Sequence, residues 1–326
     1  MSSTPARTVT LRALRFDASG VNRDDLDAAT TVFAAADTGV LGAPETGQRE
    51  LEEWFMLPVT DRENTGFLEQ GSDIVGMLWV YNDVTARETF MIAAVPPAEN
   101  APEVSDAAIR LGVVAACGHH ASAGPGPWTV RCRQWLGDDT QGSSLSNQGF
   151  TVVRTFLRMR IDSASPLIPD VVPDLPEGVE LVVARTKSER QDIYRVENES
   201  FADHWNHTPR EWDEWWAFYA DAPSFDPDGW WLIRVDGEPA AALITEESLT
   251  DMNLGYVGIL GVRREFRRRG LAAFLLKRAF VRFRDLGRDG TQLGVDAESP
   301  TSAVALYESV GMRVAQTTQA WALELD

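Results

Sequence analysis

Cysteine, lysine and histidine are all scarce in this chain. Among 326 residues there are two cysteines, four histidines and only two lysines, Lys187 and Lys277. Cys117 and Cys132 are too few for a disulfide framework or a four-thiolate zinc site, so neither is expected to hold the fold. Positive charge is also short: 30 Lys and Arg face 49 Asp and Glu, a net charge of −19. Binding to phosphate backbones and anionic lipid starts from positive potential, so no nucleic acid and no membrane is expected as a partner. No apolar run reaches 18 residues, and the opening MSSTPARTVTLRALRFD lacks an apolar signal core. The expectation is a cytoplasmic protein without a membrane span.

What is abundant points to two ordinary globular modules. Hydrophobic residues make up 44%, enough for two cores of roughly 150 residues each. Pro166, Pro169, Pro173 and Pro176 crowd one stretch and oppose helix there. Residues 164–178 are therefore expected to be a Pro-rich linker between a module at 1–163 and another at 179–326. The two halves also read alike. VTLRAL from Val9 matches VELVVAR from Val179, and the strand ending at Val95 matches the one ending at Val262. The hairpin turns Gly71-Ser72 and Asp236-Gly237 correspond, as do Gly149-Phe150 and Gly311-Met312. A near-constant separation of roughly 165 residues indicates duplication.

Chemistry concentrates in YVGILGVRREFRRRGLAAFLLKRAFVRF, Tyr256 to Phe283. An apolar strand leads to a short connection and an amphipathic helix. Leu271, Phe274, Leu275 and Ala279 share one face, and Lys277 and Arg282 are expected outward. At the junction stand Arg267, Arg268, Arg269, Gly270, Leu271 and Ala272. Unpaired N–H groups and the positive end of the dipole make a helix start a seat for phosphate. Arginines there oppose the dipole, by about 0.3–1 kcal/mol each, unless an anion is bound. A solvated basic face is the plain alternative.

Arg267-x-x-Gly270-x-Ala272 after an apolar strand resembles the acyl-CoA pyrophosphate loop of the GNAT (Gcn5-related) N-acetyltransferases, whose motif is Gln/Arg-x-x-Gly-x-Gly/Ala. Downstream, VDAESPTSAVALYESVGM, Val295 to Met312, resembles the family's strand, tyrosine-bearing helix and glycine turn. Where the family often has Asn at the start of that helix, this chain has Ser299-Pro300-Thr301-Ser302. The motifs cover Val179 to Asp326; over the first half only the layout is similar. A chain of two such modules, with the better motif second, resembles the mycothiol synthase-like two-domain acetyltransferases. The resemblance implies an α/β (α+β) fold of two tandem GNAT domains, each a mixed, mostly antiparallel twisted sheet flanked by helices.

It also implies an acetyl-CoA-dependent N-acetyltransferase that acts on a primary amine of a small molecule by direct transfer in a ternary complex. The amine would belong to an amino sugar, an antibiotic or a thiol precursor. Leu260, Gly261 and Val262 would hold the pantetheine arm, Arg267 to Ala272 the diphosphate, and Ser302 a further polar contact. Tyr307 would protonate the departing thiolate; a core aromatic is its plain alternative. No metal is expected: His204 and His207 are three apart but lack a third ligand. No general base is assigned. Tyr256 or Gly258 stands where the family often has a carboxylate, and Glu246, Glu247 and Asp251 remain alternatives through water.

Six of the 11 tryptophans lie between Phe201 and Trp231. Trp212, Trp215 and Trp216 have the spacing of a core stripe, and Trp205, Tyr256 and Glu246 are candidates for the acceptor. In the first half, Asn100, Glu103 and Leu145 stand near the places of Arg267, Gly270 and Tyr307. That half is therefore expected to lack catalysis, to bind acetyl-CoA weakly or not at all, and to complete the acceptor cleft. Two other readings stay open: a non-catalytic acyl-CoA or small-ligand binder, and transfer of a longer acyl chain. Monomer and homodimer are both compatible.

Overall fold

The computed structural model describes residues 8–326 apart from 19, 173, 176, 206, 207, 221, 300 and 301. Pro173, Pro176, His207, Pro300 and Thr301 therefore lie outside the described residues. The elements run β1 (Val9–Ala13), β2 (Phe16–Asp17), β3 (Gly20–Val21), α1 (Arg23–Leu41), α2 (Gln48–Met56), β4 (Gly66–Gln70), β5 (Asp73–Asp83), β6 (Glu88–Ala94), α3 (Ala101–Ala123), β7 (Trp128–Trp135), α4 (Asp139–Asn147) and β8 (Thr151–Asp162). They continue with β9 (Val179–Val183), α5 (Lys187–Phe201), α6 (Trp212–Ala217), β10 (Phe225–Val235), β11 (Glu238–Glu246), β12 (Leu254–Val262), α7 (Leu271–Asp285), β13 (Gly290–Asp296), α8 (Ala303–Ser309) and β14 (Arg313–Leu325). Apart from the small hairpin β2–β3, the second series repeats the first element by element.

Two compact units result: residues 1–155 with 317–326, and residues 156–316. These boundaries depart from the linear halves at 163 and 179, because each half's last strand pairs elsewhere. In the first unit the sheet order is β1-β4-β5-β6-β7, and Thr318–Leu325 of β14 adds antiparallel to β7. In the second it is β9-β10-β11-β12-β13, and Phe156–Asp162 of β8 adds antiparallel to β13. Each sheet has one parallel pair, β6–β7 and β12–β13; its other pairings are antiparallel.

The residues explain the elements locally. α1 starts at Asn22, whose side chain accepts the N–H of Asp25, and stops at Gly42 in the left-handed region. α5 starts with a reciprocal capping box between Thr186 and Glu189. The β10–β11 hairpin turns through Asp236 and Gly237, both at positive φ, as a two-residue turn between twisted strands requires. α7 buries Leu271, Leu275, Leu276, Ala279, Phe280 and Phe283 against the second sheet. Each large side chain removed from water there contributes about 1.5–3 kcal/mol. Gly255 of β12 makes room for it: a Cβ there would stand 2.1 Å from Cγ of Phe283.

Two expectations are corrected. Arg282 does not face solvent; its guanidinium donates to the buried Asp226 carboxylate at 2.7 Å, since a buried carboxylate without a counter-charge is costly. The segment 164–178 is no unpacked spacer at its start. Ile168 is buried in the second unit's core, and the Arg284 guanidinium donates to the carbonyls of Pro169 and Asp170.

Candidate active site

The site of the second unit begins with a break in strand pairing. β12 and β13 are paired from Leu254–Gly290 to Val257–Leu293, yet β12 runs on to Val262 and β13 to Asp296. The register of β12 against β11 shifts there: Thr245 faces Val257 and Ile244 faces Ile259, which leaves Gly258 as an extra residue. Such a bulge bends its strand and re-aims the side chains around it. The two parallel strands therefore diverge, and Gly258 to Val262 lose their neighbour on the β13 side.

The connection after β12 turns tightly into α7. Arg264–Phe266 is a single 3-10 turn, Arg268 has φ 61°, and Gly270 has φ 78°. Nothing would crowd a Cβ at Gly270, so its requirement is conformational. As N-cap, Gly270 offers no side-chain acceptor. The N–H groups of Leu271, Ala272 and Ala273 are thus left, among the described residues, as the unpaired donors of a helix start. The three arginines differ from one another. Arg267 donates to the carbonyls of Val262 at 3.1 Å and Ser200 at 3.3 Å, tying the turn to β12 and α5. Arg269 lies over the Phe266 ring at 5.4 Å. Gly261 lies against α5, where a Cβ would be 3.1 Å from Ser200 Oγ.

Tyr307 of α8 is buried in one apolar cluster with Val257, Leu271 and Leu293, against which Leu260 and Val262 pack. Burial pushes its hydroxyl up to about 12. Its backbone carbonyl accepts N–H groups of Val310 and Met312 as α8 ends at Gly311, φ 95°. Ser302, the N-cap of α8, is left-handed at φ 56° and makes no side-chain cap.

Glu246 and Tyr256 are directly opposed in the β11–β12 pair and so share one face of the sheet. The Glu246 carboxylate lies across the bulge: a Cβ at Gly258 would stand 1.9 Å from its Oε1. The Tyr256 hydroxyl reaches β13, 3.4 Å from where a Cβ on Gly294 would be. The next residue, Glu247, is paired with Arg288 at 2.5 Å. Trp205 stacks obliquely near Phe156 at 5.9 Å. Trp212, Trp215, Trp216 and Trp230 form a mutual cluster with Tyr219, with Trp215 and Trp230 buried in the core and the others packed against it.

One side chain here went unnoticed in the sequence. Burial pushes the Glu197 carboxyl of α5 up to about 7, against the pull of the Trp215 indole N–H at 2.8 Å and the Arg210 charge. In VENESF it reads as one more acidic residue on a helix.

The first unit repeats the frame with different residues at the matched places. Phe150 N–H donates to Leu145 as Met312 N–H does to Tyr307, so Leu145 does hold the tyrosine's place. At the other landmark the register moves by three. Asn100 is the N-cap of α3 and so answers to Gly270, while Glu103 lies in the helix's first turn.

The fold of the chain is the one found in tandem GNAT proteins. Residues 190–312 match the model of the acetyltransferase (GNAT) family. A GCN5-related N-acetyltransferase from Sphaerobacter thermophilus has the same fold at TM-score 0.80 and 22% identity, over 99% of this chain and 97% of that one. A tandem GNAT protein from the clavulanic acid biosynthesis pathway reaches TM-score 0.69 at 14% identity, over 97% and 98%. More particularly, the sequence is similar to mycothiol acetyltransferases: 31% over 190 residues to that of Thermobispora bispora and 32% over 192 residues to that of Salinispora tropica. Each match covers 55% of this chain, and 61% and 59% of the respective relative, so the chain spans about three-fifths of the curated relatives it matches.

Proposed function

We propose that the second unit is an acetyl-CoA-dependent N-acetyltransferase for a primary amine of a small molecule, working by direct transfer. The observation that carries this reading is the divergence of β12 from β13 at Val257–Leu293, beside the uncapped start of α7. An open strand edge followed by unpaired N–H donors fits a long thioester arm ending in a diphosphate. Leu260, Gly261 and Val262 would line the arm, and Arg268, Arg269, Gly270, Leu271 and Ala272 would meet the diphosphate. Arg267 would act mainly by holding that turn in shape, and Ser302 would add a polar contact. When bound, acetyl-CoA supplies the activated acetyl group.

This chain's own residues then have distinct tasks. A primary ammonium, with a pKa of roughly 10, must lose a proton before it is a nucleophile. Glu246, laid over the Gly258 bulge, is the carboxylate proposed to take that proton, directly or through water. Tyr256 and Trp205 would orient the acceptor. Tyr307, on the face of Val257, Leu260 and Val262, keeps its proton far above neutral pH and is the acid available to a departing thiolate. Base and acid thus lie on opposite faces of β12, with the gap between the strands separating them.

Thiol release from acetyl-CoA with a panel of small amines tests the reading, beginning with a thiol precursor because of the relatives named for mycothiol. Tyr307→Phe should lower kcat by about a hundredfold, with KM for acetyl-CoA little changed. Turnover untouched by this substitution removes the acid assignment. Tight acetyl-CoA binding without turnover of any amine would favour a binding protein.

A further inference from the structure

The first unit contains a cavity of about 230 Å³. It lies where its own parallel pair opens: β6 and β7 are joined from Glu88–Thr129 to Met91–Cys132 and then diverge. Val40, Val95 and Pro97 give it an apolar side, and Ser105, Asp138 and Asp139 a polar one. No lysine or arginine is among the lining residues.

Two observations indicate an intended occupant. Ser105 is 1% exposed, and its Oγ has no hydrogen-bond partner among the described residues. An unsatisfied buried hydroxyl is unfavourable and is normally explained by a missing group. Asp138 caps α4, accepting the Gln141 N–H at 2.9 Å, while desolvation holds its carboxyl above the usual range. A cation beside it would offset that desolvation. The last turn of α1, the negative end of its dipole, borders the cavity at Gly39 and Val40 and contains no basic residue. A diphosphate would instead meet the carboxylates of Asp138 and Asp139.

We propose that the first unit is a second small-molecule site, built for a compact ligand carrying a primary ammonium and a hydroxyl. The ammonium would rest at Asp138 and Asp139, the hydroxyl at Ser105, and the carbon chain against Val95 and Pro97. The assignment does not depend on acetyl transfer by the second unit.

Titrating 3-hydroxypropylammonium into the full chain, at constant ionic strength, tests this by amide NMR shifts. Saturable shifts at Ser105, Asp138 and Gln141 are expected, with 1-propanol at least about tenfold weaker and propionate silent. Asp138→Asn keeps an oxygen for the Gln141 N–H but should weaken the ammonium by about thirtyfold, as loss of one partner of a desolvated charge pair does. Ala101→Leu, which fills the cavity, should abolish the shifts in a chain whose remaining spectrum is unchanged. Absence of saturable shifts at these amides, equal binding of 1-propanol, unchanged affinity in Asp138→Asn, or equally tight acetyl-CoA binding at the same amides would each overturn the proposal.

Discussion

Replacing Glu197 by glutamine should make the second unit more stable, by an amount that grows as pH rises above about 4.5 and is complete above pH 7. The folded carboxyl titrates at about 7 rather than 4.5 because burial disfavours its charged form. Between those values the folded chain keeps a proton that the unfolded chain releases, so rising pH favours unfolding throughout that window. Each pH unit is worth about 1.4 kcal/mol. The full cost, reached above pH 7, is therefore about 3 kcal/mol, and between pH 5 and pH 8 the wild type should lose about 2–3 kcal/mol. Glu197→Gln has nothing to ionise, yet its side-chain oxygen still accepts the Trp215 indole N–H. Urea denaturation of both proteins at pH 5 and pH 8 reads the difference, taken from the transition of the second unit. Curves that stay parallel between the two pH values would refute the reasoning.

Four further outcomes can be checked. Tyr307, pushed to about 12 by burial, stays protonated through the working range, so thiol release should show no alkaline fall from its ionisation up to about pH 10. Gly255→Ala would put a methyl group 2.1 Å from the Phe283 ring, and overpacking of that kind should cost about 1–3 kcal/mol in thermal or urea unfolding. Gly270→Ala meets no neighbour but must hold φ 78°; a cost of about 1–2 kcal/mol should appear as a raised KM for acetyl-CoA with kcat largely kept. Cys132 is buried, with its thiol raised to about 12, while Cys117 is exposed. A thiol reagent should therefore titrate one cysteine in the native chain and two after denaturation.

Local pattern determined a good deal. The doubled order of strands and helices, the Asp236-Gly237 turn, the α7 stripe and the glycine turn after Tyr307 were all legible, because each depends on neighbours a few residues apart. Gly270 was legible for the same reason: a left-handed residue before an amphipathic helix is a local demand. Tertiary structure alone decided which strand completes which sheet, since the edge that β8 or β14 pairs with lies far away in sequence. It alone decided that Arg267 ties down a turn and that Glu246 lies over Gly258, because both depend on contacts between separate strands and helices. It also set Glu197 apart from the other carboxylates of α5, for a pKa is shifted by the burial and dipoles around a group, and neither is written in the letters beside it.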